Sequence, residues 1–225
     1  MLRARALLLG AIASLSEQLL TDINNYIDVH QRELAATVYN GAITVSGKFW
    51  VKVQGDPLEA YDVHIVLPDG FPLKEPSVFE TAGKIPRIQE RHMNNAAGHC
   101  CLTVWEAWLC SYRRPTFEQF MNGPVADFFL GQSIVARGGD WPFAELAHGK
   151  PGMLDAFATA LGTGADHVEI VRHLRLLAIK KIKGHHSCPC GSGVALRNCH
   201  AEKMRKLSDA IDPTLAAAML TRIQS

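Results

Sequence analysis

The stretch Ala42-Ile43-Thr44-Val45-Ser46-Gly47-Lys48-Phe49-Trp50-Val51-Lys52-Val53, followed by Tyr61-Asp62-Val63-His64-Ile65-Val66-Leu67, decides the fold class. Apolar and polar residues alternate along both runs, and a period of two belongs to strands with one buried face. Asp56-Pro57 between them is a turn signal. Pro68-Asp69-Gly70-Phe71-Pro72-Leu73-Lys74-Glu75-Pro76 then interrupts regular structure before the short run Ser77-Val78-Phe79-Glu80-Thr81. Upstream, residues 4–36 read as one long helix or two joined helices, with Glu17, Asp22 and Arg32 among apolar positions. A helix, an antiparallel meander and a proline-punctuated loop predict an α+β domain.

Downstream of Pro115 the pattern turns helical. Phe117, Phe120, Met121, Val125, Phe128 and Phe129 keep helical spacing, although Gly123-Pro124 is expected to break or kink the segment. A short helix is expected over Leu154–Leu161, Gly162-Thr163-Gly164 is a spacer, and Val168–Ile182 is a further helix. The sequence contains no internal repeat and no low-complexity tract.

A chain of 225 residues can bury one good core with a small appendage. Lys+Arg 23 against Asp+Glu 22 argues against a protein that coats nucleic acid or an anionic membrane. The stretch from Arg172 to Lys206 is nevertheless basic, with Glu202 as its single acid, and reads first as a solvated face. Six cysteines fall into two groups, Cys100–Cys101–Cys110 and Cys188–Cys190–Cys199. Each group has a chemical reading that needs free thiols, so a reducing cytoplasm is expected. Arg3 and Arg5 ahead of Ala6-Leu7-Leu8-Leu9-Gly10-Ala11-Ile12 resemble a signal peptide. The apolar run is short and helical amphipathicity continues through Leu15, Leu19, Leu20, Ile23 and Ile27, so a mature helix is preferred over a cleaved leader. No stretch is long and apolar enough to span a bilayer.

The ordered pieces Phe71-Pro72-Leu73-Lys74-Glu75-Pro76, Val78-Phe79-Glu80-Thr81, His92-Met93-Asn94, Gly98-His99-Cys100-Cys101-Leu102 and Trp108 resemble the ubiquitin-conjugating (UBC) family. That family runs aromatic-Pro-x-x-x-Pro, Val-x-Phe-x-Thr, His-Pro-Asn and Gly-x-Ile-Cys-Leu in this order. Met93 stands where the family has proline, and the gap from Asn94 to the cysteine is one residue shorter. The resemblance implies a UBC-like fold with Cys101 as the nucleophile and Cys100 in a packing position. It implies Asn94 or Asn95 as the oxyanion-stabilising amide, and His92 as a loop-holding residue rather than an acid–base group. Gly139-Asp140-Trp141-Pro142-Phe143 and His148-Gly149 look like the tail of prokaryotic members. Those relatives accompany activating enzymes, deubiquitinase-like peptidases or cGAS-like nucleotidyltransferases in antiphage defence.

The residue types suit that chemistry. A thiolate accepts an acyl group, and the thioester stays reactive toward amines. Attack by an amine passes through an oxyanion that a side-chain amide can stabilise. His99 beside the cysteines could lower a thiol pKa or simply face solvent. Glu145 and His148 could frame an incoming amine, with capping or exposure the plainer reading, and His64 reads as a polar-face residue.

The C-terminal run His185-His186-Ser187-Cys188-Pro189-Cys190-Gly191-Ser192-Gly193-Val194-Ala195-Leu196-Arg197-Asn198-Cys199-His200 resembles the SEC-C zinc motif found at the end of the protein-export motor SecA. The resemblance implies Cys188, Cys190, Cys199 and His200 as a closed Cys₃His set for structural Zn²⁺. His185 and His186 read as residues that support the ligands from outside or simply face solvent.

The expected organisation is a UBC-like conjugating domain at residues 1–150, a helical connector at 151–183, a zinc module at 184–206 and a helical tail at 207–225. The implied activity is acyl transfer: Cys101 carries the C-terminus of a ubiquitin-like protein, or of a cGAS-like nucleotidyltransferase, and passes it to an amine of a protein acceptor. No P-loop or Rossmann glycine motif is present, so ATP-dependent activation is expected from an activating enzyme in trans. No membrane and no specific nucleic acid is expected as partner. Two alternatives compete: a non-catalytic adaptor that keeps the fold for binding and tethers through the zinc module, and a thiol hydrolase using His92 or His99 as base.

Overall fold

The computed structural model describes residues 2–39, 42–112 and 114–224, with side chains from 16 onward. The order of elements is α1 (Leu2–His30), β1 (Leu34–Tyr39), β2 (Ala42–Val53), β3 (Asp56–Leu67), β4 (Ser77–Glu80), α2 (Trp105–Leu109), α3 (Phe117–Phe120), α4 (Ala126–Ala136), α5 (Lys150–Leu161), α6 (His167–Leu177), α7 (Ala201–Ala210) and α8 (Pro213–Gln224). The fold is α+β, with a four-stranded antiparallel sheet in the order β1-β2-β3-β4. Among the described residues, no helix is long and apolar enough to cross a membrane. The signal-like run at residues 6–12 lies outside the described side chains.

Two compact units share the chain. The first comprises Met1–Leu102 and Pro115–Phe143, the second Thr103–Arg114 and Ala144–Ser225.

In the first unit, Ile43, Val45, Phe49 and Val51 of β2 and Tyr61, Val63, Ile65 and Leu67 of β3 are all buried. The alternation therefore turns one face of the sheet inward, as the period of two requires. Paired residues of the other face include Lys48 with Asp62, at 3.0 Å, and Ser46 with His64, at 2.7 Å. Phe129 of α4 lies against the buried face, 5.5 Å from Phe49 and 4.8 Å from Tyr61 between ring centroids. Each such large apolar side chain stabilises the fold by about 1.5–3 kcal/mol through burial. Thr116 caps α3 by accepting from the Gln119 backbone N–H, while the Gln119 side chain accepts from the Thr116 N–H. This reciprocal pair starts the helix at the change of periodicity seen after Pro115.

Several local expectations need correction. The first helix ends at His30, and Leu34–Tyr39 forms β1 in register with β2, from Leu34 opposite Gly47 to Tyr39 opposite Ala42. Gln31 closes the helix end, its side chain accepting from the Trp50 N–H and donating to the Trp50 carbonyl. The β2–β3 reversal falls at Gln54–Gly55, both at positive φ (54° and 95°), and Asp56-Pro57 already belongs to β3. Paired positive φ values make a turn whose twist matches the strands. At Gly123-Pro124 the chain is not interrupted: a π-helical turn over Met121–Val125 links α3 to α4. The wider turn accommodates a residue that has no N–H to donate. The helix expected over Val168–Ile182 stops at Leu177, five residues before Ile182.

The second unit is helical. Phe157 and Leu161 of α5, Ile170 and Leu174 of α6, and Ala216, Met219 and Ile223 of α8 form its core. Asp166 caps α6 by accepting from the Glu169 N–H, and Asp212 caps α8 by accepting from the Thr214 and Leu215 N–H groups. Helix α2 contacts α5 and α8 within this unit.

Candidate functional site

The cysteine loop of the first unit is a narrow hairpin built on β4. Residues 98–100 run beside that strand: Glu80 N–H donates to the Gly98 carbonyl and Cys100 N–H to the Val78 carbonyl, at 2.9 and 2.8 Å. The chain folds on itself between Met93 and Cys100, which form a bridge, with Asn94 N–H donating to His99 O. Asn95 closes the tip, its Oδ1 accepting from the Ala97 and His99 N–H groups at 3.0 and 3.2 Å. Gly98 has φ 87°, and a Cβ there would lie 2.2 Å from the Glu80 carbonyl oxygen. Only glycine permits both that conformation and that approach.

Alternation on this strand separates the two adjacent thiols. Cys100 is buried at 4% exposure, its Sγ 3.6 Å from the Gly98 carbonyl, and burial pushes its thiol up to about 12. Cys101 is half-buried, and its backbone N–H donates to the His92 carbonyl at 2.8 Å. His92 and Cys101 are thus joined through the main chain. His92 itself adopts φ 51°, ψ 41°, at the C-terminal end of a short 3₁₀ turn over Gln89–Arg91.

Asn94 and His99 face each other, with Nδ2 3.3 Å from Nδ1. Burial lowers the His99 pKa, which suits a neutral ring whose Nδ1 accepts from the amide. The His99 ring also lies 5.1 Å from that of Phe79. Beneath the loop, Glu80 is fully buried and ion-paired with Arg87 Nη1 at 2.8 Å, while Arg87 Nη2 donates to the Glu80 carbonyl at 2.7 Å. On the other flank, Gln132 of α4 clasps Arg91: its Nε2 donates to the Arg91 carbonyl at 2.7 Å and its Oε1 accepts from Arg91 Nε at 2.9 Å. Neither support is legible in the sequence alone. A glutamate closing a strand and a glutamine following Phe129-Leu130-Gly131 are sequence signals only once their partners are known.

Cys110, grouped by sequence with Cys100 and Cys101, belongs to the second unit at the end of α2. Its Sγ donates to the Glu106 carbonyl at 3.2 Å, and burial pushes it up to about 12. It is a packed small residue.

In the second unit, residues 184–200 fold into a knuckle. Cys188 N–H donates to Val194 O, Leu196 N–H to His186 O and Arg197 N–H to Gly184 O, all between 2.8 and 2.9 Å. The reversal passes through Gly191 at φ 84° and Gly193 at φ 73°. Buried Leu196 anchors the returning segment, which enters α7 directly after His200. This brings the ligand atoms of Cys188, Cys190, Cys199 and His200 within 4.8 Å of one another. Cys190 and Cys199 Sγ are 3.7 Å apart, and His200 Nδ1 lies 3.2 Å from the sulfurs of Cys188 and Cys199. A tetrahedral ion with bonds of about 2.3 Å to sulfur needs ligand separations of about 3.5–3.8 Å; the observed separations lie around that range, so small side-chain adjustments would let the four groups hold one metal ion. The half-buried Cys190 thiol, beside the Ser192 hydroxyl at 3.3 Å, is held down to about 6. An easily formed thiolate suits a metal ligand. His186 points its Nδ1 at the Lys183 N–H instead, 3.2 Å away, and stands outside the set.

The molecule is therefore an α+β protein with a cysteine hairpin on its sheet and a metal-capable Cys₃His knuckle among its helices. No family model, no curated protein and no solved structure matches the chain.

Proposed function

We propose that this protein is a UBC-like transferase that carries an acyl group as a thioester on Cys101, with a structural zinc ion in the C-terminal knuckle. The observation that carries the reading is the pairing of a buried, protonated Cys100 with a half-buried Cys101 whose backbone is fixed by the His92 carbonyl. The order of helix, antiparallel meander, cysteine loop and helices supports this reading.

In the first step the Cys101 thiolate attacks the thioester that links the carrier's C-terminal carboxyl group to a cysteine of an activating enzyme. A new C–S bond forms, and the activating enzyme's thiolate leaves. In the second step an acceptor amine attacks the same carbonyl carbon. The tetrahedral oxyanion collapses to an amide, the amine proton passes to base, and Cys101 leaves as thiolate. The carrier is a ubiquitin-like protein or a cGAS-like nucleotidyltransferase, and the setting is bacterial antiphage defence. Asn94 or Asn95 stabilises the oxyanion; His92 holds the loop. With four protein ligands the zinc leaves no open position and serves the fold.

The test is a non-reducing gel of the full chain with an activating enzyme, ATP and carrier. A thiol-sensitive adduct should form, survive Cys100→Ala and vanish in Cys101→Ala. An adduct that persists without Cys101 would falsify the nucleophile assignment, and a folded chain that binds the carrier without any adduct would leave the adaptor reading. The two asparagines separate by Asn94→Asp and Asn95→Asp, which keep Oδ1 and remove the amide donor. The true donor's variant should slow discharge to lysine on the order of 10²-fold.

A further inference from the structure

The run Gly139-Asp140-Trp141-Pro142-Phe143 supplies no reacting atom, yet the fold brings it back to the cysteine loop. Helix α4 ends in a tight reversal in which Gly138 N–H donates to Val135 O and Gly139 N–H to Ile134 O, at 3.0 and 3.1 Å. This pattern of two nested bonds turns the chain back along the helix. Trp141 then lies in a notch on α4 at Gly131, where a Cβ would stand 2.5 Å from the indole ring. From there the indole meets the His92 imidazole, with ring centroids 4.5 Å apart and planes tilted 43°. Phe128 and Phe143 flank it edge-on at 6.4 and 5.9 Å.

His92 needs holding. A side chain in the left-handed region costs on the order of 1 kcal/mol or more and persists only where its surroundings impose it. Two consecutive α4 residues supply those surroundings. Gln132 fixes the Arg91 carbonyl at 2.7 Å, and Gly131 admits the indole that covers the His92 ring. With His92 so held, its carbonyl meets the Cys101 N–H at 2.8 Å.

We propose that Trp141 is a positioning residue for Cys101, acting through its stack on His92 in the notch left by Gly131; its part in transfer rests on the thioester reading. It touches no reacting atom. It keeps His92 in the one backbone conformation that orients the Cys101 peptide, so the nucleophile approaches its acyl group along a fixed line.

The experiment uses the full chain and three variants, Trp141→Ala, Trp141→Phe and Gly131→Val, with amide hydrogen exchange followed residue by residue. In Trp141→Ala and Gly131→Val the Cys101 amide should exchange on the order of tenfold faster while the Val45 and Ile65 amides keep their protection. Trp141→Phe, which retains a ring over His92, should restore most of the Cys101 protection. Site-resolved iodoacetamide labelling of Cys101 across pH 6–9.5 should show a displaced profile in the first two variants only. Unchanged Cys101 exchange in both disruptive variants overturns the proposal. So does acceleration of Val45 and Ile65 equal to that of Cys101, because the indole would then be general packing. Failure of the wild-type chain to form any thioester sinks the transferase reading separately, since the exchange measurement needs no carrier.

Discussion

The hairpin at Cys100–Cys101 and the knuckle at Cys188–His200 both place cysteines beside tight turns, but they sort their sulfurs in opposite ways. In the hairpin, strand alternation sends one thiol into the core and leaves its neighbour half-buried. In the knuckle, a reversal through two glycines at positive φ gathers four ligand atoms within 4.8 Å. The first arrangement leaves only one of two neighbouring sulfurs accessible; the second places every sulfur where a single ion could bind it. The type and number of cysteines differ little between them. Backbone geometry makes the difference, because a period of two separates adjacent side chains and a tight reversal converges distant ones.

The sharpest way to break the comparison is Cys101→Ser. If Cys101 alone is the nucleophile, the thiol-sensitive adduct falls to background and is replaced by a thiol-resistant, alkali-labile ester, as mass spectrometry of the trapped species will show. An unchanged thioester in this variant would mean that the hairpin does not isolate one sulfur. The second largest effect is expected in the knuckle. Purified protein should contain one zinc per chain, and Cys188→Ser with Cys190→Ser should abolish it. Structural zinc contributes on the order of 10 kcal/mol to small domains at neutral pH, so the knuckle should lose its order in a thermal melt and Cys199 should become freely alkylated. Metal content that survives both substitutions would remove the contrast altogether.

Smaller effects concern what holds the hairpin. Gln132→Leu removes the side-chain partners of the Arg91 carbonyl and Nε in a part-buried setting, and should cost about 1–3 kcal/mol in urea unfolding. The smallest is a pH effect at His99. Burial lowers its pKa in the folded chain, so the unfolded chain holds the proton more tightly. Stability should be flat above pH ~7 and decline slightly as pH falls through about 6.5, until the folded form is protonated too. His99→Gln should flatten that decline in melts taken between pH 5 and 7.5.

Much of this contrast was legible in the residues. Alternation in Ala42–Val53 and Tyr61–Leu67 announces the sheet face that became the core. The spacing Cys188-x-Cys190 with Cys199-His200, around two glycines, announces four convergent ligands. Other parts were not legible, for physical reasons. Leu34–Tyr39 follows a long helical pattern and does not alternate cleanly, so only its pairing with β2 reveals it as a strand. Pro124 reads as a breaker because a π-helical turn has no signature of its own. Gln132 looks like a polar intruder on an apolar helix, and its partner Arg91 lies 41 residues away in the chain. Likewise nothing local ties Trp141 to His92; the notch that joins them depends on an absent side chain at Gly131.

The burial of Cys100 carries one more consequence. A trivalent arsenical grips proteins by bridging two thiols that both face the reagent, and the sequence Cys100-Cys101 looks made for it. With one of those sulfurs only 4% exposed, the pair cannot close that bridge in the folded chain. The metal-free knuckle can, since the sulfurs of half-buried Cys190 and exposed Cys199 stand 3.7 Å apart. Bridging by arsenic should therefore strike the fold of the helical unit first and leave Cys100 and Cys101 unbridged.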